Sequence, residues 1–219
     1  MADLRYQYQT IEFDNIDIHV KTLRDKNQFF DPENKAEEIG ISSATWPLFG
    51  VIWESERVLA DLMATIDIKN KRILEVGCGI GLASLILNHR NADITATDYH
   101  PNTQEFLNNN TDLNKDSRIP FERIDWENRV SKMGKFDLII GSDLLYESGH
   151  ADQLSIFINT HAKLNTEIII IDPGRPYRGL FKRRMCGLGY SFEYLTISEN
   201  NIRSLEYQGQ ALCFKKANN

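Results

Sequence analysis

Four short segments of this chain carry residue types suited to binding and transforming a ligand. The first is Glu75-Val76-Gly77-Cys78-Gly79-Ile80-Gly81. It follows a short apolar run and precedes a helical one, the setting of a nucleotide-binding turn. Glycines permit positive φ and close approach of the backbone to a ligand, and the first turn of a helix offers free N–H donors. A dinucleotide loop, G-x-G-x-x-G, needs its third glycine one position later, where Leu82 stands. Glu75 would repel a pyrophosphate but can hold an α-ammonium group through water. No Gly-Lys-Ser/Thr follows, which excludes a phosphate-binding P-loop. Taken alone, the glycines also fit a tight structural turn.

The second segment is Asp98, about 20 residues past the loop, where an acid accepts from both ribose hydroxyls. Its alternative use is to cap the helix near Pro101. The third is Asp125-Trp126. An indole stacks on a base and a carboxylate accepts from its amino group, although a tryptophan also serves as core packing. The fourth is Gly141-Ser142-Asp143-Leu144-Leu145-Tyr146-Glu147. Asp143 and Tyr146 there can position a nucleophile, or else cap and pack.

The elements that must hold these segments follow from apolar spacing. Arg72 to Val76, Asp93 to Thr97, Pro120 to Ile124, Phe136 to Ile140 and Glu167 to Ile171 read as five strands. Helices are predicted over Glu54–Ile66, Leu82–Asn88, Pro101–Leu113, Ala151–Leu164 and Tyr177–Leu188. Strands at about Ser191–Ser198 and Ser204–Lys215 are expected to pair antiparallel. Alternating strands and helices imply a parallel sheet with right-handed crossovers. Its ligands bind at the C-terminal strand ends near the topological switch point. All four segments follow strands. Upstream, Leu4 to about Val20 alternates weakly, which reads as one or two strands or a hairpin. Lys26 to Ser43 is polar, carries the turn signal Asp31-Pro32-Glu33-Asn34, and is expected to be mobile. The chain thus divides into an N-terminal β extension and linker, 1–45, and a catalytic domain, 46–219.

Its 219 residues are 42% hydrophobic, enough for one sizeable core. A net charge of -6 argues against a nucleic-acid partner, which needs clustered Lys and Arg. The one basic run, Arg175, Arg178, Lys182, Arg183, Arg184, is either a docking patch for an acidic protein or a solvated helix face. Three scattered cysteines form neither a disulfide framework nor a metal set, so no metal is expected. Met1 to Thr10 lacks the apolar core of a signal peptide, and no run is long enough to span a bilayer. The expected compartment is the reducing cytoplasm.

Together these segments resemble class I methyltransferases, and more closely the seven-β-strand "family 16" lysine methyltransferase-like group. The resemblance runs from roughly Thr45 to Lys215. It rests on the Glu75–Gly81 loop, Asp98, Trp126, Trp53 about two dozen residues before the loop, and Asp143-x-x-Tyr146, which matches the group's D/E-x-x-Y signature. Asp172-Pro173-Gly174-Arg175 is similar to a segment in bacterial relatives that modify the electron-transfer flavoprotein β-subunit. The resemblance implies a doubly wound, mostly parallel seven-stranded sheet with an antiparallel C-terminal hairpin. It also implies S-adenosylmethionine as cofactor and a protein lysine as acceptor. The candidate cofactor-binding residues are Trp53, Glu75, Gly77, Cys78, Gly79, Gly81, Asp98, Tyr99, Asp125, Trp126 and Ser142; the candidate catalytic residues are Asp143 and Tyr146. Asp143 would attract the ammonium form of the amine, and Tyr146 and Trp46 would wall it in. A small-molecule or other-residue methyltransferase shares the same cofactor half, as does a binding module without turnover. A nucleobase acceptor usually goes with an Asn/Asp-Pro-Pro-aromatic motif, and Ser142-Asp143-Leu144-Leu145 has no proline.

Overall fold

The computed structural model describes residues 4–127, 131–195 and 207–216. The chain opens with a hairpin, β1 (Tyr6–Phe13) and β2 (Ile16–Leu23), in which Phe13 pairs with Ile16. The two-residue turn needs positive φ, which Asp14 supplies at +42°. Alternation sends Ile11, Phe13, Ile18 and Val20 into the main core.

The segment from Lys26 to Ser43, expected to be mobile, is packed as a strap. Asp31 accepts the N–H groups of Ala36 and Glu37 at 2.8 and 3.0 Å, and Ala36 is fully buried. A short 3-10 turn at Trp46–Gly50 leads into α1 (Glu54–Thr65). Trp46 is fully buried, with Phe29 and Phe49 edge-on against it. It therefore lies in the core and not in an acceptor wall.

The alternating part comprises β3 (Arg72–Val76), α2 (Leu82–His89), β4 (Asp93–Asp98), α3 (Thr103–Leu113), β5 (Phe121–Arg123), β6 (Phe136–Ser142), α4 (His150–His161), β7 (Ala162–Asp172), α5 (Arg178–Gly187), β8 (Tyr190–Leu195) and β9 (Gln210–Lys216). Sheet order is β5-β4-β3-β6-β7-β9-β8. The first five strands run parallel, and β9 lies antiparallel to both β7 and β8. The expected seven-stranded architecture is therefore present. Successive strand residues face opposite layers: Ile73, Ile94 and Ile140 join the core under α1 and α2, while Leu74, Ile139 and Ile170 join the one under α4 and α5.

The hairpin is tied to the sheet layer through α3. Asn110 and Asn114 accept the N–H groups of Lys21 and His19 at 2.7 and 2.8 Å, meeting an otherwise unpaired strand edge. The helix expected to reach Leu164 stops at His161, because Ala162 is extended and pairs with Phe136. Asn165, at φ +66°, then absorbs a register irregularity before Glu167. The expected extensions of the last two strands over Thr196–Ser198 and Ser204–Glu206 lie outside the described residues. The chain leaves β3 toward β4 and β5, then returns to β6 on the other side. That reversal opens a crevice over the C-terminal ends of β3, β4 and β6.

Candidate active site

The crevice holds a cavity of about 680 Å³ that receives residues from all four sequence segments. Gly77, Cys78 and Gly79 form its floor. Gly77 sits at φ +62°, and a Cβ there would stand 2.5 Å from Leu144 Cδ2. The left-handed backbone and this close approach together leave no room for a side chain at Gly77. Gly81 does a different job. It lies outside the cavity lining, as the left-handed residue preceding α2, and a Cβ would stand 2.7 Å from Leu107 Cδ1. Its expected ligand contact is replaced by helix packing.

Glu75 likewise lies outside the cavity lining. It is fully buried behind the loop and accepts from Ser84 N at 3.0 Å and from Ser84 Oγ. Burial pushes its carboxyl up to about 7. Of the two acids behind the glycine loop, the one that lines the cavity is Glu56, on the first turn of α1. Its Oε1 accepts Leu82 N at 3.0 Å and its Oε2 accepts Trp53 N at 3.5 Å. The two acids thus divide the free amides at the start of α2 between them. Burial, with Glu75 nearby, pushes Glu56 up to about 8. Its sequence signal was a glutamate at the third helical position, the acidic half of a capping box, and that signal points to a helix start and not to a ligand.

Asp98 ends β4 and faces the cavity. Its Oδ2 accepts Gly79 N and its Oδ1 accepts His100 N, both at 2.8 Å. The N-cap of α3 is Asn102, so Asp98 is not spent there. Desolvation raises its carboxyl above the usual range. Tyr99 donates from Oη to Ile39 O at 2.7 Å, fastening the strap over the cavity mouth. His100, stacked on Phe49 at 3.9 Å, also lines the cavity. Burial pushes it down to about 3, so its ring is neutral. Trp53 lines the same side, with Nε1 donating to Leu48 O at 3.0 Å.

Across the cavity, Asp125 accepts Glu127 N at 2.9 Å in a turn that presents Trp126. Trp126 meets His150 edge-on at 5.2 Å, and His150 meets Tyr146 at 4.8 Å. His150 Nδ1 is 2.7 Å from Leu144 O, which fixes the ring between the two aromatics. Half of Tyr146 is exposed, yet its hydroxyl is pushed up to about 12, first by desolvation and then by Asp98, Glu147 and Asp143. It stays protonated at neutral pH.

Ser142 ends β6 on the cavity wall, and Asp143 follows at φ +56°. The reading of Asp143 as a free anchor for an ammonium group needs correcting. Arg175 Nε lies 2.5 Å from Oδ1 and Nη2 lies 2.8 Å from Oδ2, so both oxygens are occupied. In the sequence Arg175 stood at the edge of a basic run and at the end of the Asp172-Pro173-Gly174-Arg175 segment, with no role at the site. That run is not a continuous patch either. Arg178 lies 3.9 Å from Asp172, Lys182 covers Phe192, and Arg184 pairs with Asp152.

Carboxylates at Asp98 and Asp125, the Trp126 indole and the inner acid Glu56 suit a ligand with a base, a ribose and an amino-acid end. Residues 33–177 match the lysine methyltransferase family. The chain belongs to that family. The match takes in the later part of the strap, α1, the glycine loop, Asp98, Asp143 and Arg175. The chain is 30% identical over 115 residues to protein N-lysine methyltransferase METTL21A of Danio rerio, covering 48% of this chain and 52% of that one. It is 29% identical over 134 residues to the electron transfer flavoprotein beta subunit lysine methyltransferase of Rattus norvegicus, covering 59% and 52%. The chain thus spans about half the length of these two relatives. In fold it is similar to the crystal structure of a methyltransferase from Pyrococcus furiosus, with a TM-score of 0.61 at 18% identity over 77% of this chain and 85% of that one.

Proposed function

We propose that this protein methylates the side-chain amine of a lysine on another protein, with S-adenosylmethionine as donor. One observation carries the reading. The Gly77–Gly79 floor and Asp98 share a single cavity with Asp143 and Tyr146. A donor site and an acceptor mouth therefore face each other. The fit of the donor rests on the floor that excludes a Cβ at Gly77 and on the acceptor groups around it. Asp98 would hold the ribose hydroxyls, Asp125 and Trp126 the adenine, and Glu56 the amino-acid ammonium. The names of the two relatives support a lysine acceptor.

When bound, S-adenosylmethionine supplies a methyl on positively charged sulfur; the N–C bond forms as the S–C bond breaks, and a neutral thioether leaves. No strong acid is needed, and the chain's task is alignment, which contributes about 7–11 kcal/mol. Free lysine has a pKa of about 10.4, so its ammonium must give a proton to solvent as it enters the mouth before its lone pair can attack. Desolvation beside Trp126, His150 and Tyr146 favours the neutral form. The Tyr146 hydroxyl, protonated at neutral pH, would orient the amine without taking its proton.

Lysate from a strain lacking the gene, incubated with the purified protein and tritiated donor, tests this. A labelled protein band that yields methyllysine on hydrolysis is the expected result. Label confined to molecules that pass a protein-retaining filter would overturn it in favour of a small-molecule acceptor.

A further inference from the structure

The acceptor mouth carries a charge pair whose two halves are both anchored at the end of β7. Asp143 donates its N–H to Ile171 O at 2.9 Å. Asp172, the next residue along β7, is fully buried and uses Oδ1 to accept Gly174 N at 2.8 Å and Arg175 N at 2.9 Å. This side-chain-capped turn needs the positive φ of Gly174, +107°. It delivers Arg175 to the cavity, where the guanidinium takes both Asp143 oxygens as a fork.

The charges around the pair show what it does. From the β6 loop and β4, Glu147 and Asp98 face Tyr146 beside it. Asp172 is answered by Arg178 on its other side. From the β9 side the Tyr207 ring faces Asp172 and Asp143, and Glu54 of α1 lies on that tyrosine. Without Arg175 the mouth would present a bare Asp143 among further carboxylates. Such a site attracts an ammonium ion and holds its proton, which is the form that cannot attack a methyl group. Asp143 spans the mouth but is answered, and the residue that answers it is itself about one-third exposed and lines the cavity.

We infer that Arg175 is a positioning and specificity residue that neutralises Asp143, so that the acceptor mouth selects a neutral nucleophile over a cation. This deepens the lysine reading and rests on it for the identity of that nucleophile. Arg175 acts through Asp143, while Asp172 and Gly174 act by aiming Arg175.

The test uses analogues of S-adenosylhomocysteine whose sulfur position carries a two-carbon arm ending in a primary amine or in a hydroxyl. Calorimetry at pH 7 gives the ratio of their affinities. The wild-type protein should bind the amine arm no better than the hydroxyl arm. Arg175→Met should shift the ratio toward the amine about tenfold or more, the size of one unanswered neighbouring carboxylate. Arg175→Lys should restore the wild-type ratio. Asp143→Asn, which leaves Arg175 unanswered, should shift the ratio the other way, and it keeps the test alive if Arg175→Met does not fold. A ratio unchanged in variants that bind S-adenosylhomocysteine normally would overturn the inference. So would a wild-type preference for the amine arm. A non-lysine residue labelled in lysate would sink the lysine reading while leaving this ratio intact.

Discussion

Replacing Glu56 by glutamine should remove the larger part of a fall in stability that the wild-type protein shows between about pH 4.5 and pH 8. Glu56 is 3% exposed, and burial moves its carboxyl from the ordinary 4.5 to about 8 in the folded chain. Below pH 4.5 it is protonated in both states and contributes no slope. Above that, the unfolded chain ionises first, so folding takes up a proton and stability declines with pH until the folded-state value is passed. Each unit crossed costs about 1.4 kcal/mol, so about 3 kcal/mol is lost by pH 7. Glu75, moved to about 7 by burial, adds a decline that ends near pH 7. Glutamine at position 56 keeps an acceptor for Leu82 N and gives up the long bond to Trp53 N. Urea unfolding across pH 4.5–8 should therefore show E56Q drawing level with wild type at the acid end. It should be more stable by about 3 kcal/mol at pH 7. The same carboxyl links to the donor. A bound ammonium beside Glu56 favours its charged form, so binding at pH 7 should release close to one proton. Calorimetry in buffers of different ionisation enthalpy reads that release, which E56Q should lose. A difference between the two unfolding curves that does not vary with pH would refute the reasoning.

Asp98→Ala should weaken S-adenosylhomocysteine binding by about 2–3 kcal/mol, because a carboxylate acceptor is lost and the Gly79 N–H is left unpaired; unchanged affinity in calorimetry would remove Asp98 from the site. Gly77→Ala and Gly81→Ala each force a side chain into left-handed backbone, at about 1–2 kcal/mol before the added contacts with Leu144 and Leu107. Thermal denaturation should show both losses. Donor binding measured on the protein that remains folded should fail for Gly77→Ala and persist for Gly81→Ala.

Much of the architecture was legible in the chain because it depends on neighbours in sequence. Period-two alternation and short aliphatic runs marked β3, β4, β6 and β7, and the strand–glycine–helix order marked the crevice at their ends. Asp98, Asp125, Trp126, Ser142, Asp143 and Tyr146 were found because each lies at or shortly after the end of a strand, and strand ends converge in a doubly wound sheet. What local order does not contain is which distant groups share the remaining space. Glu56 and Glu75 are both acids beside the glycine loop. Only the packing of α1 against α2 decides that Glu56 reaches the cavity while Glu75 turns away to Ser84. Trp46 and Trp53 stand seven positions apart, and only the fold of the strap buries one and leaves the other in the wall. Asp143 and Arg175 are separated by 32 positions. Their pairing exists because β6 and β7 are neighbours in the sheet and because the turn after Asp172 points Arg175 back across the strand ends. The residue types that do the chemistry were set by sequence. Their ionisation and partners were set by burial and by distances across the sheet, and these arise only once the chain has closed on itself.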